Sequence, residues 1–365
     1  YALDANTEAH ENTGIGHNSL TAATTGGQNT ALGAASGKAI TTGTANVAIG
    51  RAALQANTTG ANNTAVGKDA LKANTTGTVN VALGGSALTT NTTGGNNVAI
   101  GFATLQLSTT ASDNTACGYA SMNANTTGNN CTAYGVNTLQ ANTTGSDNLA
   151  IGRNALIANT TAGHNTAVGS RALDANTTGA YNIGIGNFAL TNNTTANANV
   201  AVGYDSLGQN STGTLNTAVG HESARAMTTG ATNVAMGYLA LGANTTASNN
   251  VAIGSQALDA CTTGGTNVAV GTQALGSLTT ATQNTAVGDF AGEDISTGTR
   301  NTCIGALSGE HGGNVLTTGA GNTLIGFGTV PSAASGTCQI VIAGQDVGGA
   351  TTGKGDDTGF ISPNG

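Results

Sequence analysis

The stretch ANNTAVGKDALKANTTG, residues 61–77, is followed directly by TVNVALGGSALTTNTTG, residues 78–94, which repeats the same pattern over another seventeen residues. The glycine that ends the pentad NTAVG, Gly67, has a counterpart every seventeen residues from Gly16 to Gly305, without an insertion or a deletion. A spacing this strict is typical of a solenoid, in which each repeat forms one turn and stacks on the next. We therefore predict a repeat architecture and not a set of globular domains.

Each column of the repeat has its own chemistry. Asn stands four residues before the glycine in seventeen of eighteen repeats. Between the two, Ala separates a Thr or Val from a Val or Ile, and this alternation has the two-residue period of a β-strand. Asn and Gly favour turns, and a column of stacked Asn can form an amide ladder. The second half, ALxANTTG, is interpreted as another short strand. The sequence predicts an all-β fold, a parallel β-solenoid (β-roll or β-helix) of 17-residue coils, each with two strands and two turns.

The register divides the chain into three parts. Residues 1–305 are regular repeats whose first unit is truncated, and its opening YALDANTE leads us to expect more protein upstream. Residues 306–344 form irregular coils, because four extra residues precede the anchor Gly326 and the next anchor, Gly344, follows eighteen residues later. Residues 345–365 are a C-terminal extension or a junction to a further segment.

The strand pattern also bears on assembly. In NVAIG, Val251 and Ile253 lie on one face and Ala252 on the other, so both faces are apolar. If one face lines the interior, the other needs a partner, and three copies around an axis would bury it. We expect a homotrimeric rod; the alternative is that Ala252 and its counterparts face solvent.

Composition argues against several functions. Nine Lys plus Arg against 17 Asp plus Glu leave no basic stripe for nucleic acid, and no apolar run approaches the roughly 20 residues of a membrane-spanning helix. The five cysteines have no metal-site or disulfide spacing, the carboxylates are scattered over many columns, and histidines do not fall on adjacent turns. We therefore expect no catalytic residue, no metal and no cofactor.

The core Asn-(Thr/Val)-Ala-(Val/Ile)-Gly resembles the head repeats of trimeric autotransporter adhesins, and NTAVGxxALxANTTG resembles the repeat arrays of phage and large-virus tail-fibre proteins. The end, CQIVIAG to TGKGDDTGFISPNG, is also similar to such arrays. The resemblance covers nearly the whole chain and implies a left-handed parallel β-roll that assembles as a trimer. The chain departs from the adhesin heads in using seventeen residues where about fourteen are common, and it shows neither a coiled-coil stalk nor a membrane anchor.

Two groups of residues are candidate sites. Ten repeats contain the N-x-[ST] acceptor pattern for N-linked glycan, although a turn that needs Asn beside a strand that needs Thr gives the same pattern: Asn57, Asn74, Asn91, Asn125, Asn142, Asn159, Asn176, Asn193, Asn210 and Asn244. The variable positions after the anchor glycine carry polar and aromatic residues of the kind that bind sugars, and ordinary solvated turns are the alternative. The candidates for a ligand-contacting surface are Phe102, Tyr119, Arg153, Tyr204 and Tyr238.

Adjacent threonines eight and nine residues after the glycine suggest an ice-binding array, but we expect one of each pair to point inward, which disfavours that function. The sequence predicts instead a non-enzymatic extracellular fibre, the shaft or receptor-contacting segment of a viral or phage tail fibre. It would associate with itself, contact a cell-surface glycan or receptor, and bind neither nucleic acid nor the membrane interior. The alternatives are a secreted or cell-surface adhesin filament and a carbohydrate-active β-helix enzyme.

Overall fold

The fold is an all-β parallel solenoid with turns of about seventeen residues, as seen in a computed structural model. The structure describes residues 1–310, 314–343 and 351–362, and these residues form no helix. The chain divides into two compact units, Tyr1–Asn182 and Ile183–Gly365. The predicted fold class is confirmed at this level, while the division at residues 305 and 344 remains a division based on sequence.

The first unit stacks ten three-residue strands, each paired in parallel with the next. Thr64 of β4 lies beside Val81 of β5, so the register advances by seventeen residues, and like side chains stand over like. The strands are β1 Thr13–Ile15, β2 Thr30–Leu32, β3 Val47–Ile49, β4 Thr64–Val66, β5 Val81–Leu83, β6 Val98–Ile100, β7 Thr115–Cys117, β8 Thr132–Tyr134, β9 Leu149–Ile151 and β10 Thr166–Val168.

The second unit repeats this arrangement through β19 and then becomes irregular. Its strands are β11 Ile183–Ile185, β12 Val200–Val202, β13 Thr217–Val219, β14 Val234–Met236, β15 Val251–Ile253, β16 Val268–Val270, β17 Thr285–Val287, β18 Thr302–Ile304, β19 Thr323–Ile325, β20 Thr329–Val330, β21 Ile340–Ala343, β22 Thr351–Thr352 and β23 Gly359–Ser362. Strands β11 to β19 pair in succession, β21 joins β19 and β23, and β20 pairs separately with β22.

The irregular turns keep their register by adjusting loop length. Thr302 lies beside Thr323, which places the four-residue insertion between β18 and β19. Ile325 then lies beside Ile342, a step of seventeen, so Ala343 occupies the anchor position. The prediction of Gly344 as the anchor is therefore wrong by one residue, because aligning the aliphatic side chains decides the register; Gly344 itself lies outside the described residues.

Each strand buries its middle residue and turns the other two outward. The middle residue of every strand from β2 to β10 and from β11 to β19 is buried, and Ala252 is fully buried between half-exposed Val251 and exposed Ile253. The alternative in which these alanines face solvent is therefore wrong. A small interior residue lets the narrow coil close, and the larger aliphatic residues remain on the outside.

The second half of each turn is not a strand, which corrects the prediction of two strands per coil. Asp69 and Leu71 have φ values of 59° and 47°, in the left-handed region, so an extended strand cannot form there. The backbone still bonds to the next turn, since the N–H of Leu71 donates to the carbonyl of Ala87 at 2.9 Å. A buried Leu in this conformation costs roughly 1–2 kcal/mol, which burial of its side chain offsets.

Two columns of Asn hold the turns together from the inside. Asn63 accepts a bond from the backbone N–H of Asn80 at 3.0 Å and donates its own amide to the carbonyl of Gly77 at 2.9 Å. In the second column, the amide of Asn74 donates to Asn57 at 2.8 Å. All these side chains are fully buried. The predicted ladder is thus confirmed, and a second one accompanies it.

The second ladder is interrupted where the core needs volume. Gly37 and Gly292 replace the usual Leu, and Ile40 and Ile295 replace the Asn three residues later. A Cβ on Gly37 would lie 3.0 Å from the Cδ1 atom of Ile40, which shows that the isoleucine fills the space of the missing leucine. The two positions therefore compensate each other within one turn.

The threonine pair beside this ladder lies outside the core. The hydroxyl of half-buried Thr75 donates to the carbonyl of Thr92 in the next turn at 3.0 Å, while Thr76 is exposed. The expectation that one threonine of each pair points inward is wrong, because the buried Asn before them takes the interior place. Since one hydroxyl of each pair is used by the backbone, a single exposed Thr column remains.

Replacement of Gly67 by alanine tests the anchor position. Gly67 has φ +137°, and a Cβ there would lie 2.5 Å from the carbonyl oxygen of Gly84, so the substitution combines backbone strain with a clash. We expect Gly67→Ala to lower the free energy of unfolding by at least about 2 kcal/mol in urea denaturation. Gly85→Ala is the control, because its Cβ would meet only the flexible Phe102 ring at 3.3 Å; equal losses for both variants would contradict the account.

Replacement of Ser108 by asparagine tests the amide ladder. The Ser108 hydroxyl and the Asn91 amide oxygen are buried without hydrogen-bond partners. An Asn at 108 would donate to Asn91 and accept from Asn125, so we expect about 1–2 kcal/mol of added stability in the same measurement. Ser108→Ala should change stability little. A destabilised Asn variant would show that the ladder does not contribute as argued.

Candidate functional site

Both units share an exposed strand face. We name as the aliphatic stripe the first and third residues of each three-residue strand, β1 to β10 in the first unit and β11 to β19 in the second. It contains no charged residue. Its exposed large side chains are Ile15, Leu32, Leu83, Ile100, Tyr134 and Ile151 in the first unit and Ile183, Ile185, Met236, Ile253, Val287 and Ile304 in the second. Apolar surface repeated in this way, without interleaved charge, is typical of interaction surfaces.

An aromatic widening of the stripe lies in the first unit. The rings of Phe102 and Tyr119, on successive turns, stack with centroids 5.9 Å apart and an interplanar angle of 12°. The next turn after Tyr119 carries two more exposed residues. They are Tyr134, the third residue of β8, and Val136, two residues later. Arg153 is the next residue in the column of Phe102, Tyr119 and Val136, and it is also exposed. The structure thus groups three of the five predicted ligand-contacting residues.

A second aromatic column lies in the second unit. His221 stands between Tyr204 and Tyr238, with ring centroids 5.1 and 5.8 Å away, and Phe188 meets Tyr204 edge to face at 5.9 Å. The column therefore brings together Tyr204 and Tyr238, the other two predicted ligand-contacting residues. Because the rings lie against one another, much of their faces is already covered, and their edges and the Tyr hydroxyls are what a ligand would meet.

Charged groups border this second column. Arg225 bonds to Asp205 at 2.9 Å and to Glu222 at 3.2 Å. Burial raises the pKa of Asp205, and the Arg225 charge opposes that rise. These exposed ion pairs contribute little stability, but they fix the polar groups beside the rings. Sequence reasoning found the aromatic residues from the variable column, and missed Tyr134, which stands in a column of mostly Ile, Val and Leu.

The ten predicted N-glycan acceptors are inside the coil. All ten Asn side chains have no exposed surface, and Asn142, for example, donates to the Asn125 amide oxygen at 2.9 Å and to the Gly145 carbonyl at 2.9 Å. A glycan on the side-chain nitrogen would have to occupy the core and would break the ladder. The ten Asn side chains are therefore inaccessible in the folded chain, and the hydrogen-bonded ladder accounts for the repeated Asn of the acceptor pattern.

An acidic cluster lies near the irregular turns. Glu310 stands one turn from Glu293, and burial together with the charges of Asp294 and Glu293 raises the pKa of Glu310 to about 7. Burial, with the charges of Asp294 and Asp259, also raises the pKa of Glu293. No group of three or more metal-ligating side chains suited to an ion occurs among residues 1–310, 314–343 and 351–362.

Two of the buried thiols have strongly raised pKa values, and another thiol is exposed. Burial raises the pKa of Cys261 to about 11 and of Cys303 to about 12, so neither forms a thiolate near neutral pH. Cys338 is exposed and borders a shallow cavity of about 270 Å³ with Arg300 and Gly321. No helix long and apolar enough to cross a membrane is present in the described parts of the chain.

A comparison of the sequence with models of known protein families and with curated proteins finds no match. The proposed function therefore rests on the geometry of the aliphatic stripe, of the stacked Phe102 and Tyr119, and of the aromatic column around His221.

Acidification tests the Glu310 cluster. The folded-state pKa of about 7 lies above the ordinary value of 4.5, so the stabilising protonation is fully present below about 4.5 and is lost as pH rises through 7. We expect the irregular turns to show slower amide hydrogen exchange, corrected for intrinsic rate, at pH 5 than at pH 8. Glu310→Gln should reduce this difference, with Glu293 accounting for what remains, whereas Asp289→Asn, at an exposed carboxylate, should leave it unchanged. An unchanged difference in Glu310→Gln would contradict the assignment.

Proposed function

We propose that this chain is a non-enzymatic structural segment of an extracellular fibre, the shaft or receptor-contacting part of a viral or phage tail fibre, assembled as a homotrimer. The observation that carries the proposal is the aliphatic stripe, which is exposed in the single chain. The interior supports the same conclusion, because its columns are used for Asn ladders and small apolar residues.

The stripe supports association because exposed aliphatic surface is unfavourable in water. The side chains of its third column are near 40% exposed or more in many turns, as at Ile253 with 38%. Each square ångström of apolar surface removed from water contributes about 25 cal/mol, and a repeated row of such residues reaches the roughly 800 Å² per partner of a standard interface. Burial of the stripe would thus stabilise an assembly.

A second copy of the chain is the partner that fits. Neighbouring strands in a sheet stand about 4.8 Å apart, so the stripe presents a row of side chains at that spacing. Another copy presents the same rows at the same spacing, whereas an unrelated surface would match only a few of them. Three copies around an axis parallel to the stack would each bury one stripe in a closed, symmetric arrangement.

The aromatic columns support the receptor-contacting part of the proposal. Tyr204 and Tyr238 offer hydroxyls and ring edges beside the Arg225 ion pairs, which are groups that hydrogen-bond to the hydroxyls of a cell-surface glycan. A secreted or cell-surface adhesin filament is the alternative with the same architecture. A carbohydrate-active enzyme would need a pair of carboxylates facing one substrate-binding groove, and hydrolysis of a polysaccharide panel would reveal it.

Native mass spectrometry tests the assembly. We expect the full chain to have three times the monomer mass, and Ile253→Glu, which places a charge in the stripe, to weaken the association at least tenfold. Thr263→Glu is the control, because Thr263 is exposed in the same unit but lies outside the stripe. A monomeric wild type at micromolar concentration would overturn the proposed assembly.

A further inference from the structure

The aliphatic stripe has a weakness as an interface, because it is nearly the same at every turn. In β3 to β6 the outward pairs are Val-Ile, Thr-Val, Val-Leu and Val-Ile, all of similar size. Two copies could slide past one another by one turn, about 4.8 Å, and lose little contact. Strand faces without distinguishing side chains specify their register poorly. A closed assembly therefore needs a feature that is not repeated.

The first unit contains such a feature. We name as the aromatic patch six residues on three successive turns: Ile100, Phe102, Cys117, Tyr119, Tyr134 and Val136. Ile100, Cys117 and Tyr134 are register partners at the ends of β6, β7 and β8. Backbone bonds join the other column, from the N–H of Ala120 to Phe102 and from the N–H of Asn137 to Tyr119, both at 3.0 Å. The patch is thus two columns wide and three turns high.

The patch is held in shape by its own turns. Phe102 stacks on Tyr119, and the ring of Phe102 lies 3.3 Å from the place that a Cβ on Gly85 would take, so the preceding turn leaves room for it. Tyr134 is the only aromatic residue in the outward positions of β1 to β10. Rigid, partly exposed aromatic side chains grouped in this way are typical of the residues that dominate interface energies.

The size of the patch is sufficient to set register. Phe102, Tyr119 and Tyr134 are 56%, 57% and 60% exposed. Aromatic side chains of about 150–250 Å² at such exposure leave roughly 100 Å² each, so the three together approach 300 Å², more than a third of the roughly 800 Å² that each partner buries in a standard interface. A slip of one turn would place these rings opposite smaller aliphatic residues and expose part of them.

We infer that the aromatic patch is a register lock for self-association, in which the patch of one copy packs against the same turns of a second copy. Copies related by rotation about an axis parallel to the stack lie at equal height, so identical turns meet. A shift in height would instead give an open helical arrangement that does not close. This inference rests on the proposed self-association, and it names the residues that select one alignment among many.

None of the six residues of the aromatic patch is charged. Arg153 lies one turn beyond Val136. An uncharged patch that continues an uncharged stripe fits another copy of the same stripe. A glycan also needs several hydrogen-bonding groups directed at its hydroxyls, and the side chains of the patch offer only two Tyr hydroxyls. The second copy is therefore the occupant that this chemistry favours.

Site-specific photo-crosslinking of the full chain tests the lock. Val136 is replaced by the photoreactive residue p-benzoylphenylalanine, and inter-copy crosslinked peptides are identified by mass spectrometry. Equal mixtures of isotope-labelled and unlabelled chains distinguish inter-copy from intra-copy products. We expect most inter-copy crosslinks to fall within residues 100–153. Crosslinks distributed evenly over the repeats of the first unit would overturn the inference.

The matched variants are measured by the same photo-crosslinking assay and by native mass spectrometry, which reports their association. Phe102→Ser/Tyr119→Ser/Tyr134→Ser should broaden the crosslinks over several turns and weaken association at least tenfold. Tyr134→Ile, which restores the commonest residue of that column, should broaden them without affecting the fold. Tyr181→Ser is the control, since Tyr181 is 62% exposed in the same unit but outside the stripe; it should leave both readouts unchanged.

The outcomes separate this inference from the proposed function. A monomeric wild type defeats the proposed assembly and, with it, the lock. A wild type that assembles, with variants that keep the same narrow crosslink range and the same association constant, overturns the lock alone. Unchanged circular dichroism in the triple variant would establish that the patch is not required for folding.

Discussion

The whole structure depends on close stacking of equivalent residues in successive turns. At each anchor glycine the backbone passes so near the next turn that a Cβ would collide with its carbonyl oxygen, as at Gly254, where the separation would be 2.3 Å. The buried Asn columns then join each turn to the next with bonds of about 3 Å, and the strands add their own ladder. A change of length within the stacked columns would put different chemistry in contact, whereas the four extra residues between β18 and β19 leave Thr302 beside Thr323.

This constraint also decides where function can lie. The inside of the turns is occupied chiefly by Ala, Leu and Asn, whose contacts are set by the neighbouring turns. The outside has columns that the stacking leaves free to vary. Substitution there has little effect on folding stability, because a residue on the outer face of one turn contacts mainly its counterparts on the turns before and after it. Aromatic rings stack between successive turns at such positions, as at Phe102 and Tyr119, His164 and Tyr181, and Tyr204 and His221.

Much of the fold could be predicted from the sequence, because the period, the alternation around Ala and the Asn column each have one simple physical cause. The second half of the turn could not, since Leu71 adopts a left-handed conformation that its residue type disfavours and that only burial of its side chain explains. Gly344 continues the column of anchor glycines in the sequence, eighteen residues after Gly326, but the alignment of Ile342 over Ile325 decides the register and puts Ala343 at that position.

The candidate site was predicted less well, for a related reason. A pattern such as Asn-Thr-Thr does not tell whether its Asn points inward or outward, and the ladder that buries Asn142 is visible only once turns are stacked. Phe102 and Tyr119 could be predicted as neighbours, since they are seventeen residues apart, whereas the contribution of Tyr134 depended on knowing which strand face is exposed.

The most direct test of the account is a set of spin-label distances along one exposed column. With Cys117 replaced by Val and Cys338 by Ser, and with labelled chains diluted in unlabelled ones, label pairs at Thr59 and Thr110, Thr127 or Thr144 are measured by double electron–electron resonance. Stacked turns predict distances that grow by about 4.8 Å for each added seventeen residues. Distances that do not increase by a constant step, or that increase by a much larger one, would contradict the stacking on which every other conclusion depends.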